Sequence, residues 1–270
     1  MKVAAVQLIA TDSVSANTEL ACARIREAAD NGAQLIVLPE ATSQAFETGR
    51  LDQQAAGLDG EFATALNDVA CELGVVVVAG TFRPADEVER DGEKLNRVYN
   101  SALITGRDVH KFYDKVHTYD TAAFQESDTV KPGAKQVLFD VAGVTVGVGN
   151  CYDIRFPAFF QQMAKDGAEL IVVPTSWHDG PGKTEQWRLL NTARAIDTTA
   201  YILGADQAKP GGEAEAGTDQ GPTGAGHSVL VDPHGVRVAE AGFDEEILYG
   251  EVDPEKVRKA REGLPILEQI

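Results

Sequence analysis

Two ten-residue stretches constrain this chain more than anything else in it. Residues 31–40 read Asn-Gly-Ala-Gln-Leu-Ile-Val-Leu-Pro-Glu, and residues 166–175 read Asp-Gly-Ala-Glu-Leu-Ile-Val-Val-Pro-Thr. Each begins where a helical pattern ends at a glycine, then runs through four apolar residues, too few for a helix, and stops at a proline that cannot donate to a ladder. A run that is apolar on both faces suits the middle of a parallel sheet, and the helix before it makes the unit βαβ. Two copies predict an internal duplication: two similar half-sheets, each covered by helices on one face, packed against each other. Pro39 puts Glu40 at a strand's carboxyl end, the edge where open α/β sheets bind ligands.

The remaining pattern fits around these units. Residues 3–8 form a first strand, and Asn17 caps a helix to about residue 30 with Leu20, Ala21, Ile25 and Ala28 on its apolar face. Asp59 or Gly60 starts a second helix that Gly74 closes, and 75–78 is a buried strand. Residues 83–97 are polar and read as a surface excursion; 98–104 and 109–113 make a hairpin. A second hairpin, 136–141 with 144–148, leads to Cys151 and a helix from 157 to 165. A helix over 184–198 carries Trp187, Leu190, Ala193 and Ile196 as its stripe, and a strand spans 201–205. Residues 209–226 are rich in Gly, Glu and Ala and read as a mobile surface loop. A hairpin over 227–239, a strand over 247–252 and a short helix capped by Asp253-Pro254 complete the chain. The last residues, with Leu264, Ile266, Leu267 and Ile270, have nothing of their own to cover. The segment from about 253 to 270 is expected to dock elsewhere on the molecule or on a partner subunit.

No linker divides the 270 residues, so one domain over 1–270 is expected. A formal net charge of −18 excludes a nucleic-acid role, which needs a basic surface. No apolar run reaches membrane-spanning length, and the chain opens on a strand rather than a signal sequence, so a cytoplasmic protein is expected. Three cysteines without a Cys-x-x-Cys pair argue against a disulfide framework or a structural zinc. Cys22 and Cys71 fall in helical patterns and read as small core residues.

Cys151 differs. The β-branched run over 144–148 is a strand, Phe156-Pro157 opens a helix, and Cys151 falls on the bend between them. A buried inert cysteine is the commoner case, but a thiol at such a bend projects from the sheet edge, near backbone N–H groups that favour negative charge. Glu40 at a strand end and Lys115 just after a strand belong to the same set of loops. Either residue taken alone reads as a solvated surface group.

At these residues the sequence resembles the nitrilase superfamily, the carbon–nitrogen hydrolases. Val37-Leu38-Pro39-Glu40, Tyr113-Asp114-Lys115-Val116-His117 and Gly149-Asn150-Cys151-Tyr152-Asp153-Ile154-Arg155-Phe156-Pro157 look like its three signature motifs, in order and across essentially the whole chain. The resemblance implies a four-layer αββα sandwich of two mixed sheets with pseudo-two-fold duplication, paired into a homodimer or higher homo-oligomer, with no metal or organic cofactor. It implies Glu40 as general base, Lys115 as stabilising cation and Cys151 as nucleophile. Phe124-Gln125-Glu126-Ser127 matches the segment that carries a second glutamate, which nominates Glu126. The Tyr152 N–H is expected to hold the oxyanion, and Thr175, Trp177 and His178 to line the pocket. His117 is expected to be structural, and Asp153 and Arg155 to pair as a local salt bridge. Asn150 before the cysteine and Ala158-Phe159 after Arg-Phe-Pro depart from the usual pattern.

An unassisted thiol is only a few per cent ionised at neutral pH, which is why a carboxylate base and an ammonium beside it matter. The motifs are most similar to the branch acting on ω-amides of 2-oxo acids and on deaminated glutathione. Hydrolysis of a small amide bearing a carboxylate is therefore the expected reaction. N-carbamoyl hydrolysis, another linear amidase or nitrilase activity, and a non-catalytic binding protein on the same fold are the alternatives. A Rossmann nucleotide binder is disfavoured, because no Gly-x-Gly-x-x-Gly follows the first strand.

Overall fold

A computed structural model describes all residues of the chain except 91, 123, 219, 220 and 222. The first half runs β1 (Lys2–Gln7), α1 (Val14–Asp30), β2 (Leu35–Val37), α2 (Glu61–Leu73), β3 (Val76–Arg90), β4 (Glu93–Gly106) and β5 (Val109–Asp114). The second runs β6 (Leu138–Val141), β7 (Val144–Val148), α3 (Pro157–Lys165), β8 (Leu170–Thr175), α4 (Lys183–Thr198), β9 (Tyr201–Asp206), β10 (Val229–Val231) and β11 (Arg237–Glu240). The chain then ends with β12 (Glu246–Glu251) and α5 (Pro254–Gly263). Among the described residues no helix is long and apolar enough to cross a membrane.

The strands form two six-stranded mixed sheets, ordered β12-β1-β2-β3-β4-β5 and β6-β7-β8-β9-β10-β11. The orders are equivalent. In each sheet three parallel strands follow an antiparallel first neighbour and lead into an antiparallel meander. The duplication read from the two decapeptides thus extends to whole half-molecules, with one exchange. In the second half the first strand, β6, directly precedes β7, whereas in the first half it is β12, delivered by the far end of the chain.

Period-two alternation makes the layers. Val3, Ala5, Leu35, Val37, Val76 and Val78 face Val146, Val148, Leu170, Val172 and Leu203 across the space between the sheets. Their neighbours Ala4, Val6, Ile36, Leu38 and Val77 point the other way, against Ile25 of α1 and Leu66 of α2. Ile171, Val173 and Ile202 likewise meet Phe160 of α3 and Trp187 of α4. The result is the αββα sandwich.

Local readings failed where tertiary context overrode them. Ser13, not Asn17, caps α1, accepting from the Ala16 N–H. Asn17 is buried within the helix and ties Thr11 to Ser43 through its side chain. Residues 83–90 and 93–97 are no loose excursion but the far ends of β3 and β4, paired from Val77↔Thr105 out to Arg90↔Glu93. Their charges pair with each other and with neighbouring loops, as in Arg97–Asp86, so a strand beyond the sandwich needs no apolar face. α4 buries Trp187, Asn191, Arg194, Ala195 and Thr198, and leaves Leu189 and Ile196 exposed. Cys71 is exposed and is no core residue, whereas Cys22 is partly buried and packs against the core beneath α1 and α2. Lys209, expected on a surface loop, is buried and pairs with Asp179 at 3.0 Å. After α5, a turn over Ile266–Glu268 packs on α3 and α4, and Leu264 and Ile270 stay exposed.

Candidate active site

Each half of the sandwich sends its loops to one edge, and there three chain segments converge. Beyond β2 the backbone of Pro39 to Ala41 passes so close to Gly80 that any Cβ there would overlap it. Leu38 N–H bonds Val78 O at 2.7 Å and Gly80 N–H bonds Pro39 O at 2.9 Å. Glu40 is thereby fixed, and only 1 % exposed. Lys115, 3 % exposed, follows β5 and is held by its N–H on Asn100 O at 2.9 Å.

Cys151 follows β7 with φ at 46°, a left-handed conformation costing about 1–3 kcal/mol for a residue with a Cβ. Asp153 stabilises that bend. It is fully buried; one oxygen accepts Asn150 N–H at 2.9 Å and the Tyr113 hydroxyl at 2.6 Å. The other accepts His117 N–H at 3.0 Å and lies 2.7 Å from His117 Nδ1. His117 also stacks on Phe156 with centroids 3.7 Å apart. These contacts tie its ring to the bend. Among the described residues Asp153 makes no ion pair with Arg155, because His117 and Tyr113 occupy it. Arg155 turns instead over the Trp177 ring, 5.1 Å from its centroid, and bonds Gln186 at 3.1 Å.

At the centre, Lys115 Nζ lies 3.1 Å from Glu40 Oε1 and 3.0 Å from Glu126 Oε2. The Asn100 side-chain N–H₂ bridges the same carboxylates, donating to Glu40 at 2.8 Å and to Glu126 at 3.1 Å. Asn150 Nδ2 orients Asn100 by donating to its carbonyl at 2.9 Å. Glu40 Oε2 accepts the Ser176 N–H at 3.0 Å. The next N–H, from Trp177, goes to Asp206 at 2.8 Å. Two carboxylates thus hold the 176–177 wall, and burial pushes Asp206 up to about 8 against the pull of its backbone donors, with Glu40 adding to the rise.

The cavity these groups enclose, ≈ 80 Å³, is lined by Glu40, Lys115, Glu126, Cys151, Tyr152 and Arg155, with Trp177 and His178 opposite. Of the expected pocket residues, Thr175 is absent from the lining. It is fully buried with its hydroxyl on Val173 O at 3.1 Å, and the adjacent Ser176 takes its place. Asn100, Ser176, Asp206 and Arg155 as a cavity residue were not singled out from sequence. The one available signal was the polar Asn100-Ser101 pair within the strand over 98–104.

Electrostatics define what the site can do. Burial alone would favour neutral Lys115, but Glu126, Glu40 and the sulfur more than offset it and hold its pKa well above the ordinary value. Burial, with Glu40 beside it, pushes the Cys151 thiol well up, against the opposing pull of Lys115. At rest Cys151 is therefore a neutral thiol beside a carboxylate. Alkylation of the Cys151 peptide by iodoacetamide, followed by mass spectrometry, is expected to be still accelerating at pH 9. A plateau below pH 8 would mean a preformed thiolate instead.

Residues 2–262 match the Carbon-nitrogen hydrolase family. The chain belongs to it. "Hydrolase Rv0480c" of Mycobacterium tuberculosis is 40% identical over 270 residues, covering 99% of this chain and 94% of that one. "Omega-amidase NIT2" of Mus musculus is 33% identical over 275 residues, covering 99% and 94%. The crystal structure of Saccharomyces cerevisiae Nit3, described as a member of branch 10 of the nitrilase superfamily, superposes with a TM-score of 0.82 at 29% identity, covering 98% and 94%. This carbon–nitrogen hydrolase is accordingly a hydrolase of C–N bonds on the nitrilase fold.

Proposed function

We propose that this carbon–nitrogen hydrolase cleaves a small linear ω-amide bearing a carboxylate, releasing ammonia and leaving the acid, through a thioester on Cys151. The observation that carries the proposal is the convergence of a thiol, a carboxylate and an ammonium on one small cavity. Glu40 takes the thiol proton as sulfur attacks the amide carbonyl. Lys115 and the Tyr152 N–H hold the oxyanion, and Glu126 fixes Lys115 for that task. Glu40 returns its proton to the departing nitrogen and ammonia leaves. Water then enters, gives a proton to Glu40 and attacks the thioester. As that intermediate collapses, the acid departs and the proton returns to sulfur.

The carboxylate is assigned to Arg155, whose guanidinium is held at the cavity by Trp177 and Gln186. Lys115 is held by two glutamates, and its remaining donor is the one assigned to the oxyanion, so it is not the group that holds the substrate carboxylate. The similarity to proteins named omega-amidase supports the same substrate class. The test is ammonia release from succinamate, glutaramate and neutral butyramide. Arg155→Leu should raise KM for the two anionic amides at least about tenfold more than for butyramide, since a charged hydrogen bond is worth about 1.5–3 kcal/mol. Equal effects on all three would detach the carboxylate from Arg155. Carbon dioxide appearing with ammonia from N-carbamoyl compounds, with no amide cleaved, would move the enzyme to that reaction. Pairing of two chains is proposed across α4, where exposed Ile196 lies against Gly235 next to exposed Val236.

A further inference from the structure

The small cavity around Cys151 is partly open. Phe46, Tyr119, Phe124 and His178 line it and also line a second, far larger chamber of ≈ 570 Å³, so these four side chains form a collar between the two. The proposed mechanism leaves the second chamber without a role. Its volume lies in the range of sites that bind a whole small molecule.

Its walls indicate what it would hold. Leu51, Leu95 and Val98 face it together with the collar rings Phe46 and Phe124, which makes a contiguous apolar wall. The charged groups on its wall, Arg50 against Asp52 and Glu47, sum to a net negative charge that disfavours an anion. Arg50 is bound to Asp52 by two hydrogen bonds, at 2.9 and 2.7 Å, and Asn96 donates to the same carboxylate at 3.3 Å. Glu47, also on the wall, adds a negative charge. A second carboxylate on the substrate would meet repulsion here, whereas an apolar or aromatic group would gain burial.

Resting on the amide-hydrolase reading above, we infer that the preferred substrate is an ω-amide extended beyond its carboxylate by an uncharged apolar or aromatic group, which passes the collar and occupies the outer chamber. The reacting carboxamide sits at Cys151 and the carboxylate on Arg155. The extension supplies binding energy remote from the reacting bond, the kind an enzyme can use to position it. A single methylene in an apolar pocket discriminates by roughly 10–200-fold, so a phenyl group half-enclosed by these walls should reach at least the lower end.

The experiment compares ammonia release from glutaramate with release from the side-chain carboxamides of N-acetylglutamine, N-succinylglutamine and N-phenylacetylglutamine. The expected result is kcat/KM for the phenylacetyl compound at least about tenfold above that for glutaramate, with the anionic succinyl compound below the phenylacetyl one. Leu95→Trp, which fills the chamber from β4, should lower the ratio of phenylacetyl to glutaramate turnover at least about fivefold. Glutaramate turned over best, or a ratio that Leu95→Trp does not change, would overturn the inference while leaving amide hydrolysis intact. No ammonia from any of the four compounds would instead remove the reading on which it rests.

Discussion

Cys151→Ala is expected to lower kcat for ammonia release by on the order of 10⁴ or more, the scale on which removing a covalent nucleophile acts in other hydrolases. The fold should survive. Cys151 is only half-buried, Ala meets the same left-handed backbone at φ 46° as Cys does, and Asp153 holds the bend without help from the sulfur. A change in stability within about 1 kcal/mol is therefore expected, as for substitutions that leave no unpaired polar group or large void. Cys151→Ser should be almost as inactive. A hydroxyl is far less acidic than a thiol, and a base that only has to help a neutral thiol is a poor match for it. Wild-type enzyme quenched in acid during turnover should carry an acyl mass on the Cys151 peptide, and neither variant should. Turnover by pure Cys151→Ala protein at more than a few per cent of the wild-type rate would end the thioester mechanism.

The sequence made Cys151 legible because a strand and a helix visibly meet at it, and Glu40 because the apolar run before Pro39 is too short to be anything but a strand. Lys115 was legible from the motif alone, since a lysine after a strand carries no signal of burial. The groups that complete the site were hidden for a common reason. Asn100 lies on β4, Asn150 beyond β7 and Asp206 on β9. Each matters through hydrogen bonds to residues far away in the chain, at separations of 60 for Asn100 to Glu40 and 50 for Asn150 to Asn100. Periodicity reports which face a residue occupies and says nothing about such pairings. Asp153 shows the same limit from the other side. Its neighbour in sequence, Arg155, suggested a salt bridge, but His117, 36 positions away, occupies the carboxylate and frees Arg155 for the cavity. In the fold, the duplication was visible in ten-residue matches because both halves solve one packing problem. The pairing of β12 with β1 was not, because nothing in either strand names its partner.

Lys115→Met should be the most destabilising substitution in the site as well as one of the most damaging to rate. The ammonium sits between two carboxylates that are themselves 1 % and 5 % exposed. Taking it away leaves two buried negative charges with the neutral Asn100 amide and the Ser176 and Tyr119 N–H groups, but no cation, against them among the described residues. Breaking a buried pair in this way typically costs about 3–5 kcal/mol, read here as a fall in the denaturation midpoint. Its activity should fall as well, because the proposed oxyanion has lost a donor whose removal costs about 10²–10³ in rate. The double variant Lys115→Met/Glu126→Gln separates the two effects. Removing one of the stranded charges should return much of the stability while turnover stays at the level of the single variant. Equal denaturation midpoints for wild type and Lys115→Met from pH 5 to 8 would show that the two glutamates are not held as a charged pair around this ammonium, and the electrostatic account of the site would fail with that result.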